Sequence, residues 1–289
     1  MANSFSGITA AEIAQLTLAG VVTKLPILNV IATDLSADIA QGGSSVSTRV
    51  ATVATASLFS AGNAADSNST AEYAITLNSD AVGVTVALTD YEVSTSKLAD
   101  LQRIFIGPVV NAITKKVNND VLALVTGSIH SSSYSGSIAN FDTDEISDSI
   151  ADLELYSYTP ENVVLAPSLA NVVRKSLATY TVLGSDQVLR TGEIGKVFGQ
   201  NVWTTNGTFK NNILGFICGK NALIMASRTM KTPANFPGSI EVVTDPASGL
   251  TLEFRQWYDA TNRKNYMSMG ILYGVARGVP EALRTYIAA

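Results

Sequence analysis

The stretch of residues 97–126 restricts the possible folds of this chain more than any other. Its apolar side chains recur at steps of three and four, the spacing that places them on one face of an α-helix. They are Leu98, Leu101, Phe105, Val109, Ile113, Val117, Val121 and Leu124. The other face carries the polar residues Arg103, Asn111, Lys115, Asn118 and Asn119. The pattern predicts a long helix with one buried stripe and one hydrated flank, which Gly127 ends.

Gly107 and Pro108 interrupt this helix, and the sequence leaves its continuity open. Proline lacks the amide proton and clashes with the preceding turn, but its fixed φ suits a first helical turn. Either a second helix therefore starts at Pro108, or the first helix continues through it. In both cases residues 108–126 form a rod of about 30 Å at the rise of an α-helix, and the rest of the chain must pack on it.

Composition limits the class of protein. A chain of 289 residues predicts one large domain or two closely packed ones. Charged residues make up 15%, well below the roughly 25% of typical soluble domains, which predicts that partners cover much of the surface. The formal net charge of -5 argues against a dedicated nucleic-acid reader, because phosphate binding needs clustered basic residues.

The first residues lack the pattern of a secretory signal. No basic residue precedes Lys24, and Glu12 and Gln15 interrupt the apolar stretch. No apolar run reaches the roughly 18 residues of a membrane span. We therefore expect a soluble, cytosolic product. The single cysteine, Cys218, lies in an apolar run and is expected to be a small buried residue outside any disulfide.

The N-terminal region is interpreted as an arm over residues 1–41. Thr9 and Glu12 have the spacing of a capping box, which predicts a short helix from about Ala10 that Gly20 ends. Pro26 prevents a regular continuation, and the apolar residues around it are expected to lie on another surface.

A two-stranded hairpin is predicted next. The run SVSTRVATVATA from Ser45 and the run EYAITLNSDAVGVTVALTD are rich in β-branched residues, and a polar loop over residues 62–70 joins them. An isolated ribbon is marginal in water, so this hairpin is expected to lie against a neighbouring molecule. Arg49 is one of its few charges and is the candidate intersubunit contact.

An α/β lobe is predicted over residues 140–238. After a serine-rich loop, Asp142 caps a helix, residues 162–166 read as a buried strand, and Pro167 starts another helix. Glycines then mark turns between short strands. The C-terminal third is rich in aromatic and β-branched residues and predicts a long antiparallel sheet, which the long helix is expected to cover.

Candidate chemical sites have ordinary structural explanations. His130 precedes Ser131, Ser132 and Ser133, but a nucleophilic triad needs a third group that orients the base, so His130 is interpreted as a surface loop residue. The glycines around Lys196, which are Gly192, Gly195 and Gly199, do not match a phosphate-binding loop, because Val197 stands where that loop needs Ser or Thr.

Three further groups are weighed in the same way. Asp142, Asp144 and Glu145 are interpreted as a helix cap and not a calcium site. Lys115 and Lys116 are either simply hydrated or, if this helix face lines a container of nucleic acid, make salt-sensitive phosphate contacts. The tripeptides at Asn68 and Asn206 match glycosylation acceptors by chance, since no secretory route is predicted.

Several segments, taken in order, resemble the major capsid proteins of tailed bacteriophages, whose shell fold is shared with encapsulin compartments. The segments are AITKKVNNDVLALVTG, PENVVLAPSLANVVRKS, GEIGKVFGQNVWTTN, GKNALIMAS and LTLEFRQWYDATNRKNYMSMGILYGVARGVPEAL. The resemblance covers nearly the whole chain and rests on order and extent, because shell proteins have no catalytic signature.

The resemblance implies an α+β capsid fold with five regions. They are an N-terminal arm (1–41), an extended E-loop hairpin (42–89), a peripheral or P domain with the long spine helix (90–139), an α/β axial or A domain (140–238) and the C-terminal strands of the P domain (239–289). The chain lacks a long, charged, helical N-terminal extension, which implies a separate scaffolding protein or none.

The function implied is a non-enzymatic capsid subunit without cofactor or metal. It assembles in the host cytoplasm into hexamers and pentamers of an icosahedral head, and its location is the virion. Its partners are copies of itself, a portal, scaffolding or decoration proteins, and double-stranded DNA held by non-specific contacts, with Lys115 and Lys116 as candidate lumen-facing residues. An encapsulin-like compartment and a cytosolic hydrolase using His130 and the adjacent serines are the alternatives.

Overall fold

The structure is a computed structural model that describes residues 10–31, 45–51, 70–78, 80–95, 98–179, 194–205, 207–230 and 236–289. Within these residues the helices are α1 (Ala10–Lys24), α2 (Asp90–Thr95), α3 (Leu98–Leu122), α4 (Thr143–Leu155) and α5 (Pro167–Thr179). The first strands are β1 (Ser45–Ala51), β2 (Thr70–Thr76), β3 (Val82–Thr89), β4 (Ser132–Gly136), β5 (Asn162–Leu165), β6 (Lys196–Val197) and β7 (Gln200–Thr204). The remaining strands are β8 (Ile213–Cys218), β9 (Leu223–Arg228), β10 (Gly238–Thr244), β11 (Thr251–Asp259), β12 (Lys264–Arg277) and β13 (Leu283–Ala288).

The first sheet has the strand order β10-β11-β12-β3, and all of its pairs are antiparallel. The strand β12 is 14 residues long, and its second half pairs with β9 instead of β3. The long antiparallel sheet predicted for the C-terminal third is therefore confirmed for β10, β11 and β12. The same sheet also includes β3, from the N-terminal half of the chain.

The helix α3 covers this sheet as predicted. Val109, Ile113, Val117 and Val121 are at most 2% exposed and belong to the main hydrophobic core. Pro108 lies inside one continuous helix and does not start a second one. It sits on the exposed side of the rod, where water can bond the carbonyl that lacks a partner because proline has no amide proton. The side chains of Leu98, Leu101 and Arg103 and the whole of Lys97 lie outside the described residues.

One residue of the predicted hydrated flank is buried. Asn118 is 7% exposed because the segment after β7 lies over it, and its Nδ2 donates to Thr205 Oγ1. The neighbouring Asn119 Oδ1 accepts from the amide of Thr208 at 2.9 Å. Gly207 lies so close that a Cβ there would be 2.4 Å from Leu122 Cδ1. The segment after β7 therefore joins the second sheet to the C-terminal end of α3.

The described part of the predicted arm is built into the core of its own chain, which corrects the expectation for residues 10–31. The helix α1 continues past Gly20 to Lys24, and a Cβ at Gly20 would be 3.1 Å from Val110 Cγ2 of α3. The missing side chain thus permits close helix packing and does not end the helix. The buried apolar residues of this region are Ile13, Ala14, Leu18, Val21, Leu25, Ile27, Leu28, Val30 and Ile31. Thr9, the first residue of the predicted capping box, lies outside the described residues.

The predicted hairpin is shorter than expected. The strands β1 and β2 form an antiparallel ribbon, but β3 leaves it and pairs with β12 in the first sheet. The reason lies in the apolar residues of β3, since Val82, Val84 and Val86 pack against the main core and Leu88 is fully inside it. Residues 62–69 of the predicted loop lie outside the described residues.

The second sheet has the order β4-β13-β8-β5-β7-β6, with α4 and α5 packed on it. Its β5 strand is buried along its full length, as predicted, and Asp142 caps α4 by accepting from the amide of Asp144 at 2.9 Å. The serine-rich segment is not wholly a loop, because β4 pairs in parallel with β13.

The last strand also departs from the expectation. Residues 283–288 fall in the region predicted to form the C-terminal strands of the P domain (239–289), but β13 pairs with β8 of the second sheet. None of the described helices has the length and apolar character needed to span a membrane.

Candidate intersubunit surfaces

Among the described residues, the ribbon of β1 and β2 is anchored at its base. Ile75 and Leu77 are buried with Ile224 and Ala226 of β9 in a small separate apolar cluster. The amide of Asn78 donates to the carbonyl of Tyr273 at 3.0 Å, which joins the base of the ribbon to β12. The base of the hairpin therefore packs on its own chain, whereas the sequence predicts contact with a neighbouring molecule.

A glycine of β12 makes this attachment possible. A Cβ at Gly274 would be 2.5 Å from the carbonyl oxygen of Thr76 and 3.0 Å from Ile75 Cγ2. Atoms at such distances overlap, so only glycine permits β2 to lie this close to β12.

The exposed side chains that the structure describes in the ribbon are polar or small. Ser45, Ser47, Glu72, Ala74 and Thr76 are exposed. In the ribbon register Arg49 lies directly opposite Glu72. The side chain of Arg49 lies outside the described residues, so its role as an intersubunit contact stays a prediction. These five exposed side chains are available for contact with other molecules.

The exposed face of α3 carries both candidate basic residues. Lys115 and Lys116 are exposed, and Lys116 Nζ donates to Asp120 Oδ1 at 2.6 Å. The other oxygen of Asp120 accepts from the hydroxyl of Tyr273 at 2.6 Å. Burial, followed by the bond to Asp120, raises the pKa of Tyr273 above its ordinary value. Asp120 therefore connects the helix to β12 near the base of the ribbon.

Replacing Asp120 with alanine is expected to lower the free energy of unfolding by about 2 kcal/mol, since a buried hydroxyl loses its charged acceptor. Lys116→Ala is the control, because its exposed pair with Asp120 is worth at most about 0.5 kcal/mol. Urea unfolding followed by circular dichroism measures both. Equal losses in the two variants would show that the bond between Asp120 and Tyr273 does not hold the helix to the sheet.

The structure corrects the interpretation of His130 as a surface residue. Its side chain is 1% exposed, and Nδ1 lies 3.3 Å from the carbonyl oxygen of Pro280. The nearby serines bond elsewhere, with Ser132 Oγ donating to the carbonyl of Tyr134 and Ser133 Oγ lying 2.8 Å from Ser149 Oγ. No hydrogen bond found within the described ranges joins His130 to a serine, so the geometry does not support the hydrolase alternative.

The other candidates take structural positions. Lys196 is exposed in β6 opposite Asn201, and Gly195 and Gly199 adopt positive φ at the turns around it, which suits glycine. Gly192 lies outside the described residues, as do Asn68 and Asn206, the two chance matches to a glycosylation tripeptide. Cys218 is buried as predicted, and burial raises the pKa of its thiol.

Comparisons with known proteins identify the fold. No protein-family model matches the chain, and no curated protein matches it. Among solved structures, the capsid structure of cyanophage P-SCSP1u matches with a TM-score of 0.58 and 13% identity over 91% of this chain and 86% of that one. A structure from Mycobacterium phage Che8 matches with a TM-score of 0.57 and 16% identity over 89% of both chains.

A third match is the asymmetric unit of the mature capsid of bacteriophage PhiM1, with a TM-score of 0.54 and 12% identity over 90% of this chain and 84% of that one. These matches extend over nearly the full length of both partners. The chain therefore has the α+β shell-protein fold of phage capsids, and the resemblance found in the sequence is confirmed at the level of fold.

Proposed function

We propose that the chain is a major capsid subunit that assembles with copies of itself into the hexamers and pentamers of an icosahedral phage head enclosing double-stranded DNA. The observation that carries this proposal is the match of fold over about nine-tenths of the chain to subunits of phage capsids. The subunit is structural and non-enzymatic, assembles in the host cytoplasm and resides in the virion. A portal and separate scaffolding or decoration proteins are its further partners.

The surface of the molecule supports this proposal. The ribbon is secured at its base, and Ser47, Glu72 and Ala74 farther along it are exposed, so an adjacent copy is the natural partner for these residues. A low fraction of charged residues is consistent with a surface that is largely covered after assembly. The five regions are proposed with their predicted bounds, including 42–89 for the E-loop and 140–238 for the A domain, although β3 and β9 pair with β12 in the first sheet and β13 pairs with β8 in the second.

Sedimentation velocity of the purified full-length chain tests the proposal. A capsid subunit is expected to form a fast, narrow boundary of closed particles, alone or with its scaffolding protein. A stable dimer to tetramer under both conditions would contradict it. Particles isolated with double-stranded DNA fit a phage head, whereas a packaged enzyme would indicate a compartment of the encapsulin kind.

Arg49 is proposed as an intersubunit contact, and its position opposite Glu72 shapes the test. Arg49→Glu places two carboxylates opposite each other and is expected to abolish closed particles. The double variant Arg49→Glu, Glu72→Arg restores the pair within the ribbon but reverses the charge offered to a neighbour. Particles should stay absent in the double variant. Recovery would show that Arg49 acts only inside the ribbon.

Lys115 is proposed to contact packaged DNA from the inner surface, and Lys116 to contribute less because it is paired with Asp120. Each phosphate contact contributes about 0.9 to the slope of log affinity against log salt. Lys115→Ala is therefore expected to reduce the slope for a double-stranded oligonucleotide by about that amount per contact, and Lys116→Ala by less. Fluorescence anisotropy of unassembled subunits measures this, and equal slopes in wild type and Lys115→Ala would contradict the contact.

A further inference from the structure

The two sheets meet at a joint made of three chain crossings. Within the described residues the chain passes between the sheets at residues 123–131, 219–222 and 278–282. The second and third crossings are hydrogen-bonded to each other. The amide of Gly219 donates to Ala282 O at 2.9 Å, and the amides of Gly278 and Val279 donate to Ala222 O and Asn221 O at 2.9 and 3.0 Å.

His130 lies inside this joint and touches two of its crossings. Its amide bonds to the carbonyl of Thr126 at 3.0 Å in the first crossing, and its ring Nδ1 faces the carbonyl of Pro280 in the third. Beside it, Arg277 Nε donates to the carbonyl of Leu124 at 2.7 Å and so ties β12 to the end of α3. The imidazole is therefore a packed part of the connection between the sheets.

The surroundings of the ring favour its neutral form. The ring is buried, and its Nε2 has no hydrogen-bond partner among the described residues. Burial, the largest effect, lowers the pKa of His130, and the Arg277 cation lowers it further. The carbonyls of Pro280 and Leu124 and the carboxylate of Glu281 act in the opposite direction without reversing it. Arg277 and Glu281 are the charged side chains that act on the ring.

We propose that this joint is an acid-sensitive hinge, in which uptake of a proton by His130 loosens the connection between the two sheets. A protonated ring is a second buried cation beside Arg277, and opening the joint lets water solvate it. This role goes beyond the proposed capsid function and does not depend on it, because the hinge belongs to the single chain.

The direction of the effect follows from proton linkage. The pKa of His130 is lower in the closed joint than in an opened one, where it returns toward the ordinary value of about 6.5. The open state therefore binds more protons between these two values. Stability of the closed joint is complete above the ordinary pKa and is lost as the pH falls through the lowered pKa.

Hydrogen–deuterium exchange on the purified full-length chain tests this hinge between pH 7.5 and 5.0. Rates are corrected for the intrinsic pH dependence of exchange, and peptides from α4 serve as the internal reference. The ratio of exchange in residues 123–131 and 278–282 to exchange in α4 is expected to rise several-fold at acid pH. His130→Gln, which cannot be protonated, should abolish the rise. The same rise in this variant, or equal acceleration in α4, would overturn the proposal.

A second variant keeps the test decisive if His130→Gln does not fold. Glu281 is exposed, and Glu281→Gln removes the one carboxylate that favours the protonated ring. The midpoint of the acid-induced rise should move to lower pH in this variant. Since His130 is the only histidine, its ring proton resonance reports the same titration. An unchanged midpoint, or titration at or above the ordinary value, would contradict the hinge.

Discussion

Val21→Asp is expected to prevent folding of the subunit at 37 °C, with a loss of about 5 kcal/mol in the free energy of unfolding. Val21 is fully buried in α1, which packs against α3, β10 and β11. An unpaired carboxylate there loses its hydration without gaining a partner, which costs several kcal/mol. Since domains are stable by only about 5–15 kcal/mol, a loss of this size removes most of the folded population.

Leu16→Asp on the same helix is the matched control. Leu16 is 51% exposed, so this change should lower the stability of the subunit by only about 1 kcal/mol, far less than Val21→Asp. Thermal unfolding and the soluble yield of both variants are the measurements. If residues 10–24 formed an arm that only touches neighbours, Val21→Asp would fold as well as Leu16→Asp and fail only in assembly. That outcome would contradict the core position of α1.

Gly274→Ala is expected to detach the base of the ribbon, lower the free energy of unfolding by about 3 kcal/mol and abolish closed particles. The added methyl group overlaps the carbonyl oxygen of Thr76, a backbone atom that cannot rotate away. Overpacking of this kind forces backbone shifts that cost about 1–3 kcal/mol. Because the displaced element is the ribbon, assembly should fail even where the subunit remains folded.

Gly270→Ala provides the control on the same strand. A Cβ at Gly270 would lie 3.4 Å from Ala81 Cβ and 3.5 Å from the carbonyl oxygen of Val82, which are ordinary contact distances. This variant is expected to fold and assemble like the wild type. Denaturant unfolding and particle yield compare the two glycines. Normal particles from Gly274→Ala would show that the attachment of the ribbon to β12 does not matter for assembly.

Periodic apolar patterns predicted the elements that form most of the core. The buried stripe of α3 and the C-terminal strands followed directly from spacings that place side chains on one face. The cap at Asp142 and the buried strand β5 were also predicted, because they depend on short-range sequence signals. The capsid fold was predicted from the resemblance of several segments, taken in order, to the major capsid proteins of tailed bacteriophages.

The features that the sequence patterns did not predict depend on packing between segments far apart in the chain. The sequence near Gly20 predicts a helix end, because glycine often follows the last residue of a helix. In the structure the missing side chain instead lets Val110 of α3 pack closely against α1. His130 lies in a polar serine-rich segment, and nothing local shows that the return of the chain through Pro280 covers it. The last strand joins the second sheet by pairing with β8, far away along the chain.

For two structural features that were not predicted, the sequence did contain a signal. Gly274 interrupts a strand pattern otherwise rich in large residues, and an isolated glycine in a strand often marks the close approach of another backbone. Asp120 is an acidic residue near the end of the apolar stripe of α3, a position that suggests a polar partner nearby. In the structure that partner is a buried hydroxyl group, which donates a hydrogen bond to the carboxylate. Only the tertiary structure reveals that Tyr273 is the partner of Asp120. The same is true of the close approach of Thr76 to Gly274.

Electron microscopy of the purified full-length chain, negatively stained and imaged alone and after mixing with the scaffolding protein where one is encoded beside it, tests the central claim most directly. A subunit with the role inferred here should yield hollow, uniform, roughly spherical particles with visible clusters of five and six copies. A field of small compact oligomers under every condition, with no curved sheets or closed particles, would contradict it.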